Sequence, residues 1–169
     1  MSEDYLNSVL RKYRTRGLLV DSNLLLLYFV GQHDPTQIGT FKRTRAYTRD
    51  DYVILRRLLR LFTAIVTTPN VLTEVSNLSG QMPERVKGQY FERFRREVHV
   101  LAETYMPSAE ASESPHLARL GLTDCVIADI SKDKYLVLTD DLPLANLLQK
   151  LRIDVINFNH IRRWRLLRG

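Results

Sequence analysis

Leu18-Leu19-Val20-Asp21-Ser22-Asn23 is the stretch that decides the fold. Three apolar residues without polar alternation read as a short strand buried on both faces. The acid that ends it leads into Leu24 to Val30, a run of helical length closed by Gly31. The same grammar returns downstream. Ala64-Ile65-Val66-Thr67 is rich in β-branched residues and runs into Thr68-Pro69, an N-cap with proline at the first helical position; Gly80 ends that helix. Tyr135 to Thr139 leads into Asp140-Asp141 and a helix from Leu144 to Leu151, and Ile153 to Phe158 reads as a fourth strand.

Continuously apolar strands that alternate with helices predict a mostly parallel sheet covered on both faces, a three-layer α/β/α sandwich. Residues 3–15 predict a first helix, stopped by Gly17. Residues 31–50 form a polar, turn-rich stretch carrying Lys42, Arg43, Arg45 and Arg49, after which Asp50 or Asp51 can cap a helix. Pro83 opens a longer amphipathic helix, with a core stripe of Val86, Tyr90, Phe94, Val98, Ala102 and Tyr105. A polar connector follows, then a helix from Thr123 to Lys132, and residues 160–169 form a basic tail. No repeat or linker divides the chain, so residues 1–169 are expected to form one domain.

Charge supplies the partner. The 25 Lys and Arg outnumber the 19 Asp and Glu for a net +6, with a pI near 9.6, a balance that attracts polyanions such as nucleic acid. The start Met1-Ser2-Glu3-Asp4 is acidic where a secretory leader is basic. The greasiest run is broken by Asp21, Ser22 and Asn23, so no membrane partner is expected. Cys125 is the single cysteine. It excludes an internal disulfide, and the expected location is cytoplasmic.

In parallel α/β folds ligands sit beyond the carboxyl ends of the strands. Asp21 and the pair Asp140-Asp141 lie there, while Glu74 and Asp124 lie early in helices that begin at the same edge. Taken singly, Asp21, Asp124 and Asp140 or Asp141 could serve as helix caps or first-turn acids. Glu74 lies past the first turn, on what could be a plain solvent face. Together, converging carboxylates without a counter-charge repel one another, and a hard divalent cation resolves that repulsion. Oxygen ligands with no His or Cys in ligand spacing suit Mg²⁺ or Mn²⁺.

These residues resemble those of the PIN-domain nucleases. The similarity rests on Val20-Asp21-Ser22-Asn23 after the first strand, Thr73-Glu74-Val75 after the second, Asp124 opening a helix, and Leu138-Thr139-Asp140-Asp141 after a later strand. It spans about residues 17 to 158. The resemblance implies a PIN-like sandwich, one or two Mg²⁺ or Mn²⁺ ions, and endoribonuclease activity. It also implies catalytic and metal-binding roles for Asp21, Glu74, Asp124 and Asp141, supported by Asn23, Thr139 and Asp140. Asp129 is read as solvent-facing. Residues 31–50 look inserted relative to compact members of the family.

The candidate phosphate contacts are Lys42, Arg43, Arg45 and Arg49 in that segment and Arg162, Arg163, Arg165 and Arg168 in the tail. Trp164 reads as an anchor of the tail, with base stacking as its other role. The expected partner is RNA. A homodimer through the apolar helix faces, and an inhibitory antitoxin if the chain is the toxin of a toxin–antitoxin pair, are the further candidates. Two other readings compete. A phospho-acceptor receiver domain would need its acidic pair after the first strand and a Lys after a late one, and has neither here. A catalytically inactive RNA-binding or protein-interaction module of the same fold stays open, and metal binding separates it from the nuclease.

Overall fold

The computed structural model describes residues 3–166, with side chains placed from residue 4 to residue 162. Five parallel strands run β1 (Leu18–Val20), β2 (Ile65–Thr67), β3 (Ala102–Glu103), β4 (Leu136–Thr139) and β5 (Val155–Asn157), in the spatial order β3-β2-β1-β4-β5. Helices cover the sheet, giving the three-layer α/β/α sandwich. Every residue of β1, β4 and β5 is buried, as expected of strands covered on both faces.

The chain winds outward from β1 in one direction to β3, then returns to the other side of β1 with β4. The order therefore reverses between β1 and β4, and that switch point opens a crevice at the carboxyl edge. The register sets Leu18 beside Leu136 and Val20 beside Leu138, so Asp21 emerges level with Thr139. The Asp21 amide donates to the Leu138 carbonyl at 3.0 Å, extending the ladder by one residue.

α2 (Ser22–His33) carries apolar residues all round, and Leu24 to Leu27, Phe29 and Val30 are buried, the signature of a helix inside the protein. It packs against α3 (Arg49–Leu59), α4 (Pro69–Ser79) and α5 (Glu84–Val98). Gly31 does not end α2. A Cβ there would lie 2.3 Å from the Tyr52 ring, so this glycine is needed for the close approach of α3. α3 starts at a capping box in which Thr48 and Asp51 bond each other's backbone amides, which makes Thr48 the cap and Asp51 its partner.

Residues 34–48 are more ordered than their composition predicts. Successive turns link Gln37 to Phe41, Phe41 to Thr44 and Thr44 to Tyr47, and Ile38, Phe41, Thr44 and Tyr47 point inward at every third position. The predicted stripe of the Pro83 helix holds only to Val98. Ala102 and Glu103 leave it and pair with Val66 and Thr67 as β3, and Ala102 and Tyr105 are exposed rather than in the core. The polar connector contains α6 (Ser108–Ser112) and α7 (Leu117–Leu120), and α8 (Leu122–Ser131) follows.

α9 (Leu142–Lys150) joins β4 to β5 and packs on both. The start of the predicted basic tail is helical, as part of α10 (Phe158–Leu166). Buried Phe158 anchors it, and Asn157 accepts a hydrogen bond from the Asn159 amide at 3.0 Å. Among the described residues no helix is long and apolar enough to cross a membrane.

Candidate functional site

Four elements deliver carboxylates to the crevice between β1 and β4. A cavity of ≈ 220 Å³ there is lined by Asp21, Glu74, Asp124 and Asp141, with Ser22, Asn23 and Thr123 supplying further oxygen and amide groups. Among the described residues no Lys, Arg or His is on its wall.

Asp21 leaves β1 in extended conformation and caps α2, accepting from the Asn23 amide at 3.4 Å; its second oxygen accepts from the buried Thr139 hydroxyl. Thr139 in turn accepts from the Asp141 amide at 2.9 Å, so one hydroxyl ties together the acids following β1 and β4. Asp141 caps α9 through one oxygen, which accepts from the Leu144 amide at 2.8 Å. Capping and site membership therefore coexist: the cap occupies one lone pair and leaves others open to the cavity.

Glu74 is exposed at the cavity mouth, and α4 places it there because Thr68 and Pro69 start that helix at the carboxyl edge. Both its oxygens accept hydroxyl hydrogens, from Ser22 at 2.7 Å and from Thr123. Asp124 enters on the first turn of α8, whose N-cap Gly121 has φ 79°, a left-handed conformation that suits glycine. No hydrogen bond reaches the Asp124 carboxylate among the described residues, and burial with the neighbouring charges of Asp21, Asp141 and Glu74 raises its pKa to about 7. Burial likewise lifts Asp21 to about 6, against the lowering effect of the Thr139 hydroxyl. These acids are held at the cost of ionisation, and the hydrogen bonds to Asp21 offset only part of it.

Asp140 and Asp141 divide their work. Asp141 lines the cavity. Asp140 is held beside it by Asn23 Nδ2 at 3.4 Å and by the hydroxyl of Tyr47, while its carbonyl accepts from Asn159 at 2.9 Å. Tyr47 is the residue that sequence reasoning missed. Its only one-dimensional signal is the every-third-residue spacing from Ile38.

The basic candidates separate. Lys42, Arg43, Arg45 and Arg49 are exposed, and Arg43 donates to Gln81 at 3.0 Å. Arg162 is committed inside the protein: it pairs with Asp51 at 2.8 Å, donates to Asn159 and to the Ala46 carbonyl, and lies over the Tyr47 ring. Its guanidinium fastens α10 to the 46–51 segment, so this candidate phosphate contact already has protein partners. The side chains of Arg163, Trp164 and Arg165, and the whole of Arg168, lie outside the described residues. Asp129 is exposed and Cys125 buried, as expected.

The donor chemistry suits a hard divalent cation: carboxylates, hydroxyls and one amide, with no sulfur or imidazole. Among the described residues no three acids, histidines or cysteines stand as a ready-made ligand group. The chain matches no family model, no curated protein and no solved structure.

Proposed function

We propose that this protein is a Mg²⁺- or Mn²⁺-dependent endoribonuclease of PIN-domain type. The observation that carries the proposal is the convergence of Asp21, Glu74, Asp124 and Asp141 on one cavity at the switch point of a parallel sheet, with no cationic side chain on its wall among the described residues. Asp21, Asp124 and Asp141 would hold the metal, which would supply the positive charge that polarises the scissile phosphate. Thr139 ties the Asp21 carboxylate to the backbone that carries Asp141. Glu74, steadied by Ser22 and Thr123, orients the attacking water from the cavity mouth. Attack at phosphorus breaks one P–O ester bond, leaving a phosphate monoester on one fragment and a hydroxyl on the other.

That no three of these side chains stand as a ready-made ligand group among the described residues is the observation that favours a second reading, a catalytically inactive module that binds RNA or protein. One experiment separates the two. Thermal unfolding is followed in EDTA and with Mn²⁺ titrated in, beside Asp124→Asn, and the same samples are incubated with labelled RNA. Saturable stabilisation and cleavage, both lost in the variant, support the nuclease; an unresponsive wild type supports the inactive module.

A further inference from the structure

The acidic cavity has a neighbour of opposite sign. A second cavity of ≈ 260 Å³ lies where the segment after α2 meets the turn between α4 and α5. Its wall carries Lys42, Arg85, the side-chain amides of Gln37 and Gln81, and the Thr40 hydroxyl, with no carboxylate. Among the described residues neither Lys42 nor Arg85 takes part in an ion pair. The nearby acids are engaged elsewhere: Asp34 accepts from the Thr36 amide and hydroxyl, each at 2.8 Å, and Glu84 pairs with Lys87. Arg43 donates to the Gln81 carbonyl oxygen, adding a third cation at the rim and leaving the Gln81 amide nitrogen as a donor. α5 also begins here without a side-chain cap.

Cations gathered without partners gain nothing for stability, since like charges repel. They suit an anion. Leu78 lines the acidic cavity and Gln81 the basic one, and a single turn joins them, in which the Gln81 backbone amide donates to the Leu78 carbonyl at 3.2 Å. A nucleic-acid strand is repelled by clustered carboxylates and needs an attractive hold close by. We propose that the Lys42–Arg85 cavity is a phosphate subsite, gripping a backbone phosphate of the same RNA strand whose neighbouring phosphodiester lies over the acidic cavity. This inference rests on RNA being the substrate, as proposed above.

Fluorescence anisotropy with a short 5′-labelled oligouridylate, in EDTA so that nothing is cut, tests it. Lys42→Gln with Arg85→Gln should weaken binding about tenfold and lower the log–log salt slope by about 1.4, the change expected for two lost contacts to a single strand. Lys42→Arg with Arg85→Lys should retain binding. Arg57→Gln with Arg60→Gln, an equal loss of charge from exposed positions around the end of α3, should leave it unchanged. All the substituted side chains are exposed, so folding is preserved, and the melting temperature verifies that. The subsite is refuted if the wild type does not bind, if the Lys42/Arg85 pair is neutral, or if the α3 pair costs as much. Cleavage with Mn²⁺ keeps the two proposals apart. Binding that depends on Lys42 and Arg85 without cleavage leaves the subsite standing and removes the nuclease. Cleavage with unchanged KM in the Lys42/Arg85 variant does the reverse.

Discussion

The two edges of the sheet treat buried acids in opposite ways. At the amino edge Asp154, just ahead of β5, receives Lys12 and Tyr13 from α1 at 2.7 and 2.9 Å, with Tyr5 at 3.3 Å. Burial pushes its carboxyl up, but the hydrogen bonds from Lys12 and Tyr13 outweigh that and leave it below the ordinary range. At the carboxyl edge Asp21 and Asp124 are also buried or half-buried, and no cation among the described residues answers them. One edge is a fastening. The other holds charge in a disfavoured state, which is how a protein keeps a place for something that arrives from outside.

The largest test of this contrast is catalytic. Asp124→Asn should lower Mn²⁺-dependent RNA cleavage by at least about 10³-fold, because the charge that holds the ion is gone; circular dichroism should report an unchanged fold. Next comes metal-linked stability. At about a hundred times its dissociation constant, Mn²⁺ should add roughly 2.7 kcal/mol, or about 5–10 °C in Tm. That gain should be absent in the variant.

The pH response of the metal-free protein follows from the direction of the shifts. Asp21 and Asp124 have folded pKa values near 6 and 7, above their ordinary 3.8. Between those values the folded protein keeps protons that the unfolded chain has released, so stability falls as pH rises through this window. In EDTA the protein should melt about 4–8 °C lower at pH 8 than at pH 5, corresponding to ~2 kcal/mol, about half of what the two full shifts would give because solvent screens the half-buried Asp124. A flat or inverted profile would show that the acids are answered by charges the contrast leaves out. The smallest test sets the two edges directly against each other. At pH 8 without metal, Asp154→Asn should cost about 1 kcal/mol through its partly exposed ion pair, while Asp124→Asn should gain about as much. Equal signs in the melting curves would erase the distinction.

Much of this layout is legible in one dimension, for physical reasons that differ by region. β1, β2, β4 and β5 are visible because strands buried on both faces must be apolar throughout, and Asp21 and Thr68 are visible because helix starts need caps. The acids follow from that: once strand ends are located, Asp21, Asp141 and the early-helix acids Glu74 and Asp124 share an edge. What stays hidden depends on distant partners. β3 has two exposed residues and exists only because Val66 and Thr67 offer free backbone groups. Tyr47 meets Asp140 across 93 residues of sequence, and Arg162 meets Asp51 across 111. No local pattern distinguishes an arginine that fastens a helix from one that grips phosphate, so Arg162 was legible as charge and not as contact. Asp140 and Asp141 differ only in which partner reaches them.

The strand order also sets a timetable for biosynthesis. β1 and β2 can pair early, but the partner on the other side of β1 is β4, and the Thr139 hydroxyl that engages Asp21 lies 118 residues later. At translation rates of about 5–20 residues per second, that interval lasts roughly 6–24 s. Throughout it the central strand has an open flank, and Asp21 waits without Asp141. A nascent chain therefore cannot assemble the acidic cluster while the ribosome is still making the residues between them.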